Sequence, residues 1–185
     1  MLCIINCGTS YLSNLQSTFG GFGFPNTIIP VENISNTNFN SFSGIIISGA
    51  PILLTQIDTQ KYVDQFMFIK KTAIPVLGIC NGHQVIGLLF GSKIFMGEDV
   101  HRQESISILQ EDTLFQGMGS QSLFQEEHSE HITLPKDFLL LAKSASCDNE
   151  AMKHHDKNIF GVQFHPEASG EQGRQVLRNF LQSMI

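Results

Sequence analysis

The chain has 185 residues, 42% of them apolar, and a formal net charge of −6 at neutral pH. That length and apolar share suit a single domain over 1–185 with one sizeable core, and leave no room for a second catalytic domain of ordinary size. The acidic balance, with seven scattered histidines, gives no basic footprint and so argues against nucleic acid as a partner.

No stretch approaches the roughly 18 uninterrupted apolar residues of a membrane span, and Met1-Leu2-Cys3-Ile4-Ile5 lacks the positive start of a signal peptide. The four cysteines, Cys3, Cys7, Cys80 and Cys147, are too few and too irregularly spaced for a disulfide framework. These features predict a reduced, cytoplasmic protein without a membrane partner.

In chain order, Leu2 to Asn6 reads as a buried strand, followed by a helix from near Ser10 that ends at Gly20-Gly21-Phe22-Gly23. Thr27 to Val31 reads as a second strand, and the Asn- and Ser-rich residues 32–43 as a surface connection. Gly44 to Ser48 reads as a central strand. A helix over Thr59 to Lys71 places apolar residues at 62, 63, 66, 67 and 69, close to one face. Pro75 to Ile79 is the next strand and Gly82 to Phe90 a short apolar helix. This alternation predicts an α/β fold with a parallel sheet covered by helices on both faces. From Ser92 to Phe164 several short strands and turns are expected, some antiparallel, before a closing helix over Gln172 to Ser183.

The stretch Val76-Leu77-Gly78-Ile79-Cys80-Asn81-Gly82-His83-Gln84 holds the main chemical signal. Its Gly-x-Cys-x-Gly core stands where a buried strand turns sharply into a helix, the cysteine form of a nucleophile elbow. The turn aims the Cys80 side chain at the start of the next helix, where the thiolate is favoured over the thiol. The Asn81 amide is then placed to donate to an oxyanion. A cysteine nucleophile needs a general base. His165 supplies one in Gly161-Val162-Gln163-Phe164-His165-Pro166-Glu167, at the end of a strand-like segment. With an extended backbone, Glu167 shares a face with His165 and is able to fix the imidazole tautomer. The other cysteines read as core or inert. His128 with His131 and His154 beside His155 lack a familiar zinc-ligand spacing, so no metal is expected.

On these segments the sequence resembles the class I (triad) glutamine amidotransferases. GICNGHQ is similar to their nucleophile signature and GVQFHPE to their histidine–glutamate signature. The resemblance covers nearly the whole chain and implies a flavodoxin-like open sheet, mostly parallel, with a few antiparallel strands. It further implies that Cys80 attacks the glutamine carboxamide, that His165 protonates the departing ammonia, and that water hydrolyses the thioester. The backbone amides of Ala50 and Asn81 would form the oxyanion hole. Gly49, Gln84, His128 and Ser129 would line the substrate pocket, while His83 reads as structural. Ser48-Gly49-Ala50-Pro51, His128-Ser129-Glu130-His131-Ile132 and Asn149-Glu150-Ala151-Met152-Lys153-His154 look most like the branch that serves GMP synthases.

Two positions depart from the family pattern. Ala50 replaces a glycine; it keeps the N–H but resists a positive φ. Glu127 replaces a serine. The opening Asn6-Cys7-Gly8-Thr9-Ser10 resembles instead the glutaminase subunit of imidazole glycerol phosphate synthase. Ammonia released into water is largely protonated, so the reading calls for an acceptor site on a separate synthetase subunit. ATP and magnesium would belong to that partner and no cofactor to this chain. The alternatives are a glutaminase subunit serving another synthase (anthranilate, aminodeoxychorismate or imidazole glycerol phosphate), a stand-alone γ-glutamyl hydrolase, or a catalytically silent regulatory subunit.

Overall fold

The computed structural model describes residues 1–184. One nine-stranded sheet organises the chain, with β1 (Leu2–Asn6), β2 (Asn26–Pro30), β3 (Gly44–Ile47), β4 (Val76–Ile79), β5 (Ile94–Ile108), β6 (Gln121–Ile132), β7 (Phe138–Lys143), β8 (Ala151–His154) and β9 (Ile159–Val162) in the spatial order β2-β1-β3-β4-β9-β8-β7-β5-β6. The pairings from β2 through β1, β3 and β4 to β9 are parallel. From β9 onward through β8, β7, β5 and β6 they are antiparallel.

Four helices cover the sheet: α1 (Leu12–Gly21), α2 (Thr59–Asp64), α3 (Asn81–Leu89) and α4 (Gly170–Gln182). Successive strand side chains point to opposite faces, so β1 sends Leu2 and Ile4 to one core and Cys3 and Ile5 to the other. Leu15 and Phe19 of α1, with Val176, Leu177 and Phe180 of α4, pack on the first face. Val63 of α2 and Val85, Ile86 and Leu89 of α3 pack on the second. The α/β architecture with helices on both faces is therefore the one the alternation predicts.

Three segments differ from expectation. The helix read over Thr59 to Lys71 stops at Asp64 and resumes as a 3₁₀ turn over Met67–Lys70. The tighter turn has three residues per repeat, which places Phe66 and Ile69 together in the core, both fully buried. Residues 32–43 are more than a surface connection. Two 3₁₀ turns there bury Ile34, Phe39 and Phe42, and Phe39 stacks on Phe68 with ring centroids 4.0 Å apart. Finally, β5 and β6 are long, 15 and 12 residues, where short strands were expected. The inward face of β6 carries Ser122, Phe124, Glu126, His128 and Glu130. A buried face that is mostly polar leaves no hydropathy alternation to read.

Candidate active site

The parallel pair β4 and β9 sets the geometry. Ile79 and Val162 are register partners, and the Cys80 amide donates to the Val162 carbonyl at 2.8 Å. Residues following both strands therefore emerge at the same end of the sheet, where open parallel sheets place their sites. Cys80 sits at φ 52°, ψ −106°, and is the one non-glycine at positive φ among the described residues. The glycines beside it are there for space. A Cβ on Gly78 would stand 2.4 Å from the Gly82 carbonyl carbon, and one on Gly82 would stand 2.3 Å from the Ile47 carbonyl oxygen. Both lie well inside contact distance, so this strand-to-helix turn closes only with glycine at 78 and 82.

Cys80 is 7% exposed, and its sulfur touches groups from β6 and from the run after β9. Its thiol donates to the Glu127 carbonyl at 3.6 Å, and Gln163 Nε2 donates to the sulfur at 3.7 Å. His165 is held from two sides. Its amide donates to the Gln125 carbonyl at 2.9 Å, and the Ser169 hydroxyl donates to its carbonyl at 2.6 Å. Its ring Nδ1 lies 2.9 Å from Glu167 Oε1. Burial alone would lower the His165 pKa. The Cys80 sulfur, hydrogen-bonded to the ring, and the Glu167 carboxylate outweigh that and raise it well above the usual histidine value. A nearby anion favours the imidazolium over the neutral ring.

Glu167 reaches His165 by a different route from the extended one expected. Pro166 opens a 3₁₀ turn over Pro166–Ala168 directly after His165, because a proline at the first position of a helical turn has its φ already set. The turn curls the carboxylate back onto the ring. Gly49 packs against both partners; a Cβ there would stand 3.0 Å from His165 Cε1 and 3.7 Å from Cys80 Cβ.

A cleft of about 180 Å³ opens beside the sulfur, lined among others by Ala50, Asn81, Gln84, His128 and Ser129. Ala50 does not have a positive φ, so the alanine departure adds no strain. Among the described residues neither the Ala50 nor the Asn81 amide donates to a protein acceptor. Gln84 is buried and gives its amide nitrogen to the Glu130 carbonyl at 2.9 Å and to Gln163 Oε1 at 3.2 Å. His128 borders the cleft with a side chain 1% exposed, its Nε2 3.1 Å from Glu126 Oε2. Ser129 donates to Asp99. His83 is fully buried and burial pushes its pKa down to about 3, as befits a structural position.

Sequence reasoning left several neighbours unassigned. Gln163 bridges Gln84 and Cys80, and the signal for it was its place two residues before His165 on the same face. Glu130 accepts from the amides of Leu54 and Thr55 at 2.7 and 2.8 Å, tying the loop after β3 to β6. Tyr11 lies over the His165 ring at 5.2 Å and donates to the Glu127 carboxylate. The replacement at 127 thus has a partner in this chain, and burial with that carboxylate pushes the Tyr11 pKa up to about 12. Nothing in the local sequence around Tyr11 marks it.

An elbow cysteine facing a carboxylate-oriented histidine, above a sheet that turns from parallel to antiparallel, defines a triad-type α/β hydrolase or transferase. The glutamine amidotransferase class-I family model matches residues 3–184, and the chain belongs to that family. It is 38% identical over 187 residues to a glutamine-hydrolysing GMP synthase subunit of Pyrococcus abyssi, covering 97% of this chain and 96% of that protein. The protein of the same name from Methanothermobacter thermautotrophicus is 34% identical over 184 residues, with coverage of 97% and 96%. A crystal structure from Thermoplasma acidophilum, described as that of a GMP synthase subunit, superposes with a TM-score of 0.90 at 26% identity over 99% of this chain and 92% of that one. A Thermotoga maritima glutamine amidotransferase shares the fold, with a TM-score of 0.82 at 14% identity, over 99% and 96%.

Proposed function

We propose that this chain is the glutamine-hydrolysing subunit of a two-subunit GMP synthase, with Cys80 as nucleophile, His165 as general acid and base, and Glu167 as its orienting carboxylate. The observation that carries the reading is the buried His165–Glu167 pair, 2.9 Å apart, set against a cysteine on a glycine-flanked elbow. The two relatives that match 97% of the chain at 34–38% identity, both named as glutamine-hydrolysing GMP synthase subunits, support the choice of acceptor.

In this mechanism the Cys80 thiolate adds to the side-chain carboxamide carbon of glutamine. The Ala50 and Asn81 amides receive the oxyanion. His165 gives its proton to the departing nitrogen, the carbon–nitrogen bond breaks, and ammonia leaves behind a γ-glutamyl thioester. His165 then takes a proton from water, which attacks the thioester and releases glutamate with return of the thiol. Gly49, Gln84, His128 and Ser129 border the substrate. Ammonia passes to a separate synthetase subunit that activates xanthosine monophosphate with ATP and magnesium, in the cytoplasm. The cofactors belong to that partner.

The test is glutamate release from glutamine by the purified chain, alone and with the candidate synthetase partner, ATP, magnesium and xanthosine monophosphate. The expected result is GMP formation that depends on glutamine with the wild type, and on added ammonia with Cys80→Ala. Failure of an electrophilic glutamine analogue to modify Cys80 with the partner present would overturn the catalytic assignment. Modification without GMP formation would overturn the choice of acceptor.

A further inference from the structure

On the inward face of β6 lies a group of side chains that joins His128 of the cleft wall to two buried carboxyl groups the glutaminase reading does not use. Glu126 and His128, two residues apart on one strand, share that face, and Glu150, just before β8, meets them. One ligand-capable atom from each of the three lies within 4.8 Å of the others, and all three residues are buried. Glu126 is fully buried, Glu150 is fully buried and His128 is 5% exposed.

Among fixed donors and acceptors the contacts within the group do not close as hydrogen bonds; only a proton shared between the Glu126 and Glu150 carboxyl groups would link those two. His128 Nε2 and Glu126 Oε2 are 3.1 Å apart, yet both ring nitrogens of His128 and both carboxylate oxygens of Glu126 lack a properly directed partner. Glu150 has one oxygen held by the Ser144 hydroxyl at 2.6 Å, while its Oε2 is free. Hydrogen-bond distance without hydrogen-bond direction is what two ligands of one ion show. With metal–nitrogen and metal–oxygen bonds of about 2.0–2.2 Å in a tetrahedral site, neighbouring ligand atoms fall roughly 3.3–3.6 Å apart. The Glu126–His128 separation of 3.1 Å falls slightly short of that edge, so a small opening of the pair would admit the ion. Two carboxyl groups in the interior either stay protonated or need positive charge close by, and buried charges are ordinarily paired or bound to a metal. Arg102, the register partner of Glu126 on β5, is half exposed and is engaged with Glu98 and Glu104.

We infer that Glu126, His128 and Glu150 form a binding site for a divalent transition-metal ion, with zinc as the working case. One imidazole and two carboxylates suit zinc among the borderline metals, and water fills the remaining position. The Ser144 hydroxyl orients Glu150 as an outer partner. The ion ties β6 to the segment before β8. Glu127 lies between two of its ligands, so the ion also fixes the carbonyl that receives the Cys80 thiol. The inference is independent of the identity of the ammonia acceptor.

The experiment uses the full chain carrying Cys80→Ala, which removes the active-site thiol as a competing ligand. After chelator treatment and its removal, zinc is titrated against a chromophoric competitor, and thermal unfolding is followed with and without zinc. One equivalent bound, with an affinity reduced at least 100-fold by either Glu126→Gln or Glu150→Gln and a zinc-induced rise in Tm that disappears with it, is the expected outcome. Circular dichroism shows whether each variant folds, and two near-isosteric changes guard against the failure of one. No zinc uptake by the parent chain overturns the inference. So does uptake unaffected by both changes, which would place the ion elsewhere, for instance at the exposed His101–Asp99 pair.

Discussion

Replacing Cys80 with alanine and, separately, with glycine isolates the strain of the elbow. Both changes remove the thiol and its contacts with Glu127 and Gln163 equally. They differ in the Cβ, which at φ 52°, ψ −106° lies outside the regions open to L-residues. Residues held in such sparsely populated conformations cost about 1–3 kcal/mol. Glycine escapes that cost but gives up about 0.4–1 kcal/mol through the greater freedom of its unfolded chain. The net expectation is that Cys80→Gly is more stable than Cys80→Ala by about 1–2 kcal/mol. Urea unfolding followed by circular dichroism reads this as a midpoint higher by roughly 0.5–1 M, for an m-value of about 2 kcal/mol/M. Gly20→Ala supplies the opposite sign. It lies in α1 with open space around its Cβ, so alanine should gain about 0.5–1 kcal/mol there. A Cys80→Ala variant as stable as Cys80→Gly would refute the reasoning: the elbow would then store no backbone strain.

Glu167→Gln keeps the shape of the side chain but removes the carboxylate that, after the Cys80 sulfur, helps to hold His165 protonated and oriented, so kcat for glutamate release should fall by about 10²–10⁴-fold. KM should change little, and an unchanged kcat would remove Glu167 from the triad. Gly82→Ala drives a Cβ to 2.3 Å from the Ile47 carbonyl oxygen. It should cost about 3 kcal/mol or more in urea unfolding, and near-neutral stability would mean that α3 is free to shift off β3. In chelator-treated protein, burial raises the Glu126 pKa from 4.5 to about 8, and that of Glu150 in the same direction. The native state therefore binds more protons than the unfolded chain across that window, so this stabilisation is full below about pH 4.5 and is lost as pH rises toward 8. Glu126→Gln should flatten the fall in stability between pH 5 and 8, by at most about 1.4 kcal/mol for each pH step of one; an identical slope would contradict it.

The first half of the chain was legible because its signals are local and apolar. Strands such as Gly44–Ile47 and Val76–Ile79 are continuous apolar runs buried on both faces, and the glycines at 78 and 82 announce a turn that nothing else fits. His165 and Glu167 were legible as residue types two positions apart, although the turn that joins them was not. The second half resisted for a definite reason. β5 and β6 are paired along most of their length, but their buried positions include Glu104, Glu126, His128 and Glu130, so the pattern that marks a strand is absent. Tyr11, Gln163 and Glu150 gain their meaning only from the folded neighbourhood, through partners 116, 83 and 6 residues away.

That division bears on how the site is built. The nucleophile comes from a short-range feature, the β4–α3 turn, which the local sequence enforces. The groups that touch its sulfur come from later in the chain: the Glu127 carbonyl from β6, the Gln163 amide and the His165 ring from the run after β9. His165 is anchored by the Gln125 carbonyl, and the Ser169 hydroxyl joins both residues by accepting from the Gln125 amide at 2.8 Å and donating to the His165 carbonyl at 2.6 Å. The middle of β6 thus serves two sides of the same reaction centre. A small displacement of that strand moves the acceptor facing the sulfur and the support of the imidazole together, and catalytic geometry tolerates little such movement. The polar inward face of β6, including Glu126 and His128, is therefore where a change outside the triad should reach the chemistry.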